Sequence, residues 1–410
     1  MGYKVENHLS FKQISIFRNI PVYYLSKNNE LQQLAEIFHD PTKLVKILAI
    51  DQERASYQSV YYQRPCLLQL ATHEYVFLID LNSIKSLNSL SNVLTNSEIT
   101  KIFFDSPWDL FYFKDYYHIE IQGIFDIQAA SSLLKRYRAT ISLEDLVKHE
   151  LNIRYEKPKK QQKSNWCQRP LKKAQIKYAS EEIYWFIPLY NKILTEIIVK
   201  KRETFLYYIH KQIQENLPSL QYNPFSVARI KGFSELTEIQ KYQLLKIAKI
   251  RDEIAFKRNK PSFFILNNQT LIDLIKMAPE KRKNFLKRKK LLSGEEKERI
   301  TGEFDCTKSI PSETFEELRV KFNKSINTPF NELPILKQHL LIWRNEISNE
   351  LNLPKRFIIS KKDLDSMDYS NSNKLLNSIW FAKRSDEISQ YLTNSITTFL
   401  MENNSTLHIE

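Results

Sequence analysis

Four short aliphatic runs constrain this chain more than any other feature: residues 44–50 (LVKILAI), 66–70 (CLLQL), 75–80 (YVFLID) and 99–104 (ITKIFF). Each has strand length rather than helix length, and none could span a bilayer. Their spacing predicts strands at 44–51, 66–72, 75–80 and 99–104, and the two-residue connection His73-Glu74 predicts an antiparallel hairpin. Helical patterns fill 30–39, 86–95, 107–117, 126–136 and 142–150, and one long helix is expected over 172–198. Strands followed by strands alternating with helices make a mixed α/β sheet. This predicts a first domain at 31–202, preceded by an irregular lead-in at 1–30.

Beyond about residue 203 only helical patterns remain, and they contain a repeat. Arg251-Asp252-Glu253-Ile254 leads to Pro261, Phe264-Ile265 and Leu271; Arg344-Asn345-Glu346-Ile347 leads to Pro354, Phe357-Ile358 and Leu364. Every element is offset by 93 residues (344 − 251, 354 − 261, 364 − 271). The chain is therefore expected to carry two small helical domains of one type, at 215–302 and 331–402, joined by a linker at 303–330 and followed by a tail at 403–410.

Composition narrows the chemistry. The chain has only five glycines, so neither a Walker A loop nor a GxGxxG turn can be assembled, which excludes the corresponding nucleotide-cofactor sites. The three cysteines, Cys66, Cys167 and Cys306, form no CxxC pair and indicate neither a disulfide framework nor a zinc site. The N-terminus MGYKVENHLS lacks the basic-then-apolar pattern of a signal peptide, which points to a cytoplasmic protein without membrane association.

A net charge of +14 favours polyanionic partners, nucleic acid before a membrane surface. The charge is clustered. Lys157, Lys159, Lys160, Lys163, Arg169, Lys172, Lys173 and Lys177 form a block without an acid, and seven more basic residues lie between Lys281 and Lys290. Both blocks suit phosphate contacts.

The first expected strand ends in Asp51-Gln52-Glu53. Period-two alternation puts both carboxylates on one face, an unfavourable arrangement unless a cation lies between them. In Ser106-Pro107-Trp108-Asp109, Ser106 is placed to cap a helix, Pro107 to start it and Asp109 to complete a capping box. Tyr178 and Glu182, four residues apart, share a helix face.

This ordered set, DxE on a strand, an Asp early in a following helix and YxxxE on a late helix, resembles the motifs of the tyrosine-bearing branch of the DEDD exonuclease superfamily. It is most similar to the ribonuclease D family. The resemblance extends through Asp51-Gln52-Glu53-Arg54-Ala55-Ser56, Cys66-Leu67-Leu68-Gln69-Leu70, Phe125-Asp126-Ile127-Gln128-Ala129-Ala130 and Trp166-Cys167-Gln168-Arg169-Pro170-Leu171. The two helical repeats resemble HRDC domains.

The resemblance implies a ribonuclease H-like α/β sheet followed by two all-α HRDC-like domains, and a 3′→5′ exoribonuclease using two divalent ions, Mg²⁺ or Mn²⁺. Asp51 would bridge both ions, Glu53 and Glu182 would complete one, and Asp109 would hold the other through water. Tyr178 would orient the attacking water, since a phenol with a pKa of ~10 is a poor base at neutral pH. Asp126 and Gln128 read as framework residues. The implied substrate is structured RNA with a single-stranded 3′ end, such as a tRNA precursor, and a monomer is expected. Two positions depart from the family pattern: Glu182 stands where an Asp is usual, and Phe104-Asp105 stands where a His or Asn is usual. The alternative is a weakened or inactive relative that retains RNA binding.

Overall fold

The computed structural model describes residues 11–40, 45–56, 60–135, 141–220, 222–305, 333–367, 369–370, 372–379 and 386–403. Most of the expected linker and tail lie outside these residues. The chain divides into two compact units, one made of Met1–Ser56, Gln63–Ser219 and Ile347–Ile358, the other of Tyr57–Tyr62, Leu220–Glu346 and Ile359–Glu410. The first boundary thus falls after residue 219, not near 202, because helix Glu203–Glu215 packs with the sheet unit.

The first unit is built on a seven-stranded mixed sheet. In chain order its elements begin with β1 (Lys12–Phe17), β2 (Ile20–Leu25), α1 (Asn28–His39), β3 (Ile47–Arg54), β4 (Pro65–Ala71) and β5 (Val76–Asp80). There follow α2 (Ser91–Thr95), β6 (Thr100–Phe103), α3 (Pro107–Tyr117), β7 (Ile124–Asp126), α4 (Ile127–Lys135) and α5 (Leu143–Leu151). The unit continues with α6 (Lys159–Gln162), α7 (Lys173–Tyr184), α8 (Phe186–Val199) and α9 (Glu203–Glu215). The strand order is β1-β2-β5-β4-β3-β6-β7. The β4/β5 hairpin is antiparallel, as its short connection predicts. β3 pairs antiparallel with β4 and parallel with β6.

Three expectations fail for identifiable reasons. The lead-in is not wholly irregular, since β1 and β2 form an antiparallel pair. Their turn uses Arg18 and Asn19, both at positive φ, instead of the glycine that would have signalled it. Residues 172–198 are two helices. Pro188 has no N–H for the carbonyl of Tyr184, and the helix breaks at Trp185. Asp126 ends strand β7, and α4 starts one residue later.

The unpaired reading of the cysteines also needs correction. Cys66 on β4 and Cys167, in the segment before α7, form a disulfide with a Cα–Cα distance of 5.1 Å across 101 residues. That segment is held against the sheet by Arg169, which pairs with Asp80 at 2.6 Å and donates to the Cys66 carbonyl at 2.6 Å.

Leu48, Ala49 and Ile50 of β3 are fully buried, as are Leu67, Leu68 and Leu70 of β4, so the middle of the sheet is covered on both faces. A cluster running from Phe11 and Tyr23 through Leu31, Phe77 and Leu94 to Phe113 and Tyr117 fills one side.

In the second unit α10 (Glu238–Lys257), α11 (Ser262–Ile265), α12 (Asn268–Lys276), α13 (Pro279–Lys287) and α14 (Gly294–Asp305) surround a core that includes Leu244, Ile247, Ile254, Leu271 and Ile300. Buried Arg251 ties α10 to the start of α12, donating to the Leu266 carbonyl at 3.1 Å and to Asn268 Oδ1 at 2.8 Å. The sequence repeat has a structural counterpart. Helix Lys355–Ile358, which falls in the first unit, and helices Lys361–Ser366, Ser372–Ser378 and Glu387–Asn403 begin 93 residues after α11, α12, α13 and α14 respectively (355 − 262, 361 − 268, 372 − 279, 387 − 294). Helix Ile335–Glu350 ends 93 residues after α10 (350 − 257). No described helix is long and apolar enough to cross a membrane.

Candidate active site

Parallel pairing of β3 with β6 determines where the chemistry can lie. Ile47, Leu48 and Ala49 pair with Thr100, Lys101 and Ile102, so both strands end at one edge of the sheet, the usual place for a site in a parallel arrangement. β3 continues past this pairing and carries Asp51 and Glu53 beyond it. The chain leaves β6 and turns through Asp105, at φ 61°, into α3, which brings Asp109 to the same edge. α7 packs on β3, β4 and β5 and presents Tyr178 and Glu182 from its buried face.

The five site residues named from the sequence therefore meet. Asp109, Tyr178 and Glu182 are 5%, 2% and 7% exposed, and Asp51 and Glu53 are half-buried. Burial pushes Asp51 well above the usual carboxylate range, and the charges of Glu182 and Asp109 add to the effect. Glu53 is raised in the same direction, first by burial and then by Glu182 and Asp51. Asp109 is pushed up to about 7 by burial; the Arg54 guanidinium opposes that rise, while Asp105, Asp126 and Glu182 add to it.

The Tyr178 hydroxyl hydrogen-bonds Glu182, and its ionisation is displaced strongly upward by burial and then by Glu182 and Glu53. Burial and these carboxylates favour the protonated phenol, which suits positioning and not proton abstraction. The Trp166 ring lies against Tyr178, with centroids 5.7 Å apart.

Two cations have entered the cluster. Lys157 Nζ donates to Glu182 Oε1, and Arg54 Nη1 donates to Asp109 Oδ1 at 3.2 Å. Sequence reasoning places Lys157 among phosphate-binding residues and gives Arg54 no role. Arg54 could have been read from its position directly after the DxE pair, but its partner is 55 residues away and only the β3–β6–α3 turn brings it near.

Other expectations change in detail. Ser106 does not cap α3; its hydroxyl donates to Asp126 Oδ2 at 2.6 Å, and Asp109 faces Arg54 instead of completing a capping box. Asp126 is a framework residue as expected, also accepting from the Ser106 and Ala129 amides, and Gln128 donates to the Ile141 carbonyl. At the departure Phe104-Asp105, Phe104 packs against Phe186, with ring centroids 6.3 Å apart.

Of the first basic block, Lys159, Lys160, Lys163, Lys172, Lys173 and Lys177 are exposed. Arg169 is not available to phosphate, because Asp80, the Tyr24 hydroxyl and the Cys66 and Trp166 carbonyls occupy its guanidinium. Burial disfavours the Asp80 carboxylate, but hydrogen bonds from Arg169 and Tyr24 hold it below its usual range.

The donor set suits hard divalent cations: four carboxylates, crowded and partly desolvated, whose mutual repulsion an ion would relieve. As the side chains stand, no three carboxylate, histidine or cysteine groups among the described residues are arranged to hold a metal ion. Glu182 is turned to Lys157 and Asp109 to Arg54.

Residues 26–198 match the family model described as 3′-5′ exonuclease, and residues 243–297 match that of the HRDC domain. The chain is 26% identical over 291 residues to "Ribonuclease D" of Shewanella sp., covering 71% of this chain and 71% of that protein. It is 24% identical over 280 residues to "Exosome complex exonuclease RRP6" of Saccharomyces cerevisiae, covering 64% of this chain but only 36% of the yeast protein. The crystal structure of Escherichia coli RNase D, described as an exoribonuclease involved in structured RNA processing, superposes with a TM-score of 0.65 at 18% identity, covering 93% of this chain and 99% of that one. The chain thus carries a 3′-5′ exonuclease domain over residues 26–198, followed by an HRDC domain over residues 243–297.

Proposed function

We propose that the protein is a metal-dependent 3′→5′ exoribonuclease of the ribonuclease D type, acting as a cytoplasmic monomer. Its substrate is structured RNA with a single-stranded 3′ end, such as a tRNA precursor. The observation that carries this reading is the convergence of Asp51 and Glu53 from β3, Asp109 from α3, and Tyr178 with Glu182 from α7 at one sheet edge.

Asp51, Glu53, Asp109 and Glu182 are the residues that would hold two divalent ions, Mg²⁺ or Mn²⁺. When bound, such ions stabilise the attacking and leaving oxygens of an in-line displacement at phosphorus. Tyr178, locked against Trp166 and kept protonated, directs its hydroxyl to orient the attacking water. The exposed Lys159, Lys160, Lys163, Lys172 and Lys173 flank α7 and grip the phosphodiester backbone. The Lys281–Lys290 block of the HRDC domain holds a more distant part of the RNA. The 93-residue repeat supports a second HRDC-like domain at 331–402.

Incubation of the purified protein with 5′-labelled and 3′-labelled RNA tests the proposal. Stepwise shortening from the 3′ end is expected with Mg²⁺ or Mn²⁺, and it is expected to vanish in EDTA and in Asp51→Asn. RNA binding without degradation in either metal overturns the enzyme reading. That outcome favours an RNA-binding protein without chemistry, the reading for which the pairing of Glu182 with Lys157 and of Asp109 with Arg54 speaks.

A further inference from the structure

Lys157 opens the basic block, yet the fold turns it inward. Its side chain is 18% exposed, its ammonium donates to Glu182 Oε1, and its Nζ lies 5.6 Å from the centre of the Tyr178 ring. Asp51 and Glu53 are the next negative charges around it. An ammonium therefore stands inside the group of carboxylates that the proposed reaction needs for cations.

Two facts distinguish it from a fixed structural ion pair. Residues 152–158 belong to no helix or strand, so Lys157 comes from an irregular segment, whereas Arg54 is set in the sheet. An ammonium on a flexible four-carbon stem is also a compact charge that can move without rebuilding a planar fork of hydrogen bonds. Crowded, partly desolvated carboxylates are stabilised in their charged form by a nearby cation.

We propose that Lys157 is a displaceable counter-cation of the carboxylate cluster: it neutralises Glu182 when no divalent ion is bound and withdraws when one binds. Metal affinity is then set by competition between the ammonium and the ion for the Glu182 oxygen. This rests on the metal-dependent reading given above. The geometry supports it: the ammonium donates to Glu182, one of the carboxylates proposed to take the ion, lies beside the Tyr178 ring, and comes from a segment outside helix and strand.

Two measurements on the full chain test the inference. In the wild-type protein stripped with EDTA, amine-reactive labelling read by peptide mass spectrometry should find Lys157 protected. Saturating Mn²⁺ should raise its labelling severalfold, while buried Lys101, held by the Asn96 and Ile99 carbonyls, stays protected. Calorimetric titration should show Lys157→Met binding Mn²⁺ about tenfold tighter than the wild type, and Lys157→Arg close to it. Asp51→Asn should lose Mn²⁺ binding, which locates the titrated site.

If Mn²⁺ binds but Lys157 labelling does not respond, or Lys157→Met binds no tighter, the counter-cation proposal is overturned and the metal reading stands. If neither the wild type nor Lys157→Met binds Mn²⁺, the metal reading itself falls. Should Lys157→Met fail to fold, the labelling of the wild-type protein decides.

Discussion

Arg54 Nη1 donates to Asp109 Oδ1 at 3.2 Å, joining the end of β3 to the first turn of α3. The same guanidinium lies 5.1 Å from the centre of the Tyr112 ring on α3. This ion pair opposes the upward pressure that burial puts on Asp109. Replacing Arg54 by Met leaves that carboxylate buried without its partner, at a cost of about 1–3 kcal/mol. Urea unfolding checks this, and part of the loss should return in saturating Mg²⁺. Equal losses with and without Mg²⁺ would show that Asp109 holds no ion.

The resemblance to the ribonuclease D family leads to the expectation of an Asp where this chain has Glu182. Its carboxylate accepts from Lys157 and shares a hydrogen bond with the Tyr178 hydroxyl, so its neighbours are fitted to the longer side chain. Glu182→Asp withdraws the carboxylate by one methylene, and a shift near ~1 Å costs on the order of 100-fold in rate. Single-turnover RNA cleavage should therefore slow, with little change in RNA affinity. Faster cleavage would identify Glu182 as a defect in the site.

Arg169 and its lysine neighbours should separate cleanly. Arg169→Lys breaks the guanidinium's fork of hydrogen bonds to Asp80, Tyr24 and two carbonyls, and should destabilise the first unit by about 1–3 kcal/mol. The salt dependence of RNA binding should not change. A Lys159→Ala, Lys160→Ala, Lys163→Ala variant should behave in the opposite way. Stability is kept, and the slope of log K against log salt becomes shallower by about 0.7 for each phosphate that is no longer neutralised.

His210 on α9 gives the first unit an acid limit. Its Nε2 accepts from the Asp126 amide at 3.1 Å, and burial pushes its pKa from 6.5 down to about 4 against the pull of Asp126. A base with a depressed folded pKa binds fewer protons in the native state than in the unfolded state. Its stabilising effect is therefore complete above the unfolded pKa and is lost as pH falls from 6.5 towards 4, by up to about 3 kcal/mol. His210→Gln keeps an acceptor for the amide without a titrating ring. Its stability should decline less between pH 7 and pH 4, as read by thermal melts.

What the sequence determined by itself was local and periodic. Aliphatic runs of strand length located β3, β4, β5 and β6, and the 93-residue offset foretold helices that begin at matched positions. Alternation along one strand set Asp51 and Glu53 on one face, and helical spacing did the same for Tyr178 and Glu182. Weak local signals were harder to read. The β1–β2 turn has no glycine, and Pro188 is hidden inside a long apolar pattern. Only the tertiary structure decided which charges meet. The parallel registry of β3 and β6 brings Arg54 to Asp109, and the irregular segment before α6 brings Lys157 to Glu182, 25 residues away. Side-chain electrostatics act through space, so a basic block that looks uniform along the chain divides in the fold. Lys157 enters the carboxylate cluster, Arg169 braces Asp80, and Lys159, Lys160, Lys163, Lys172, Lys173 and Lys177 stay exposed.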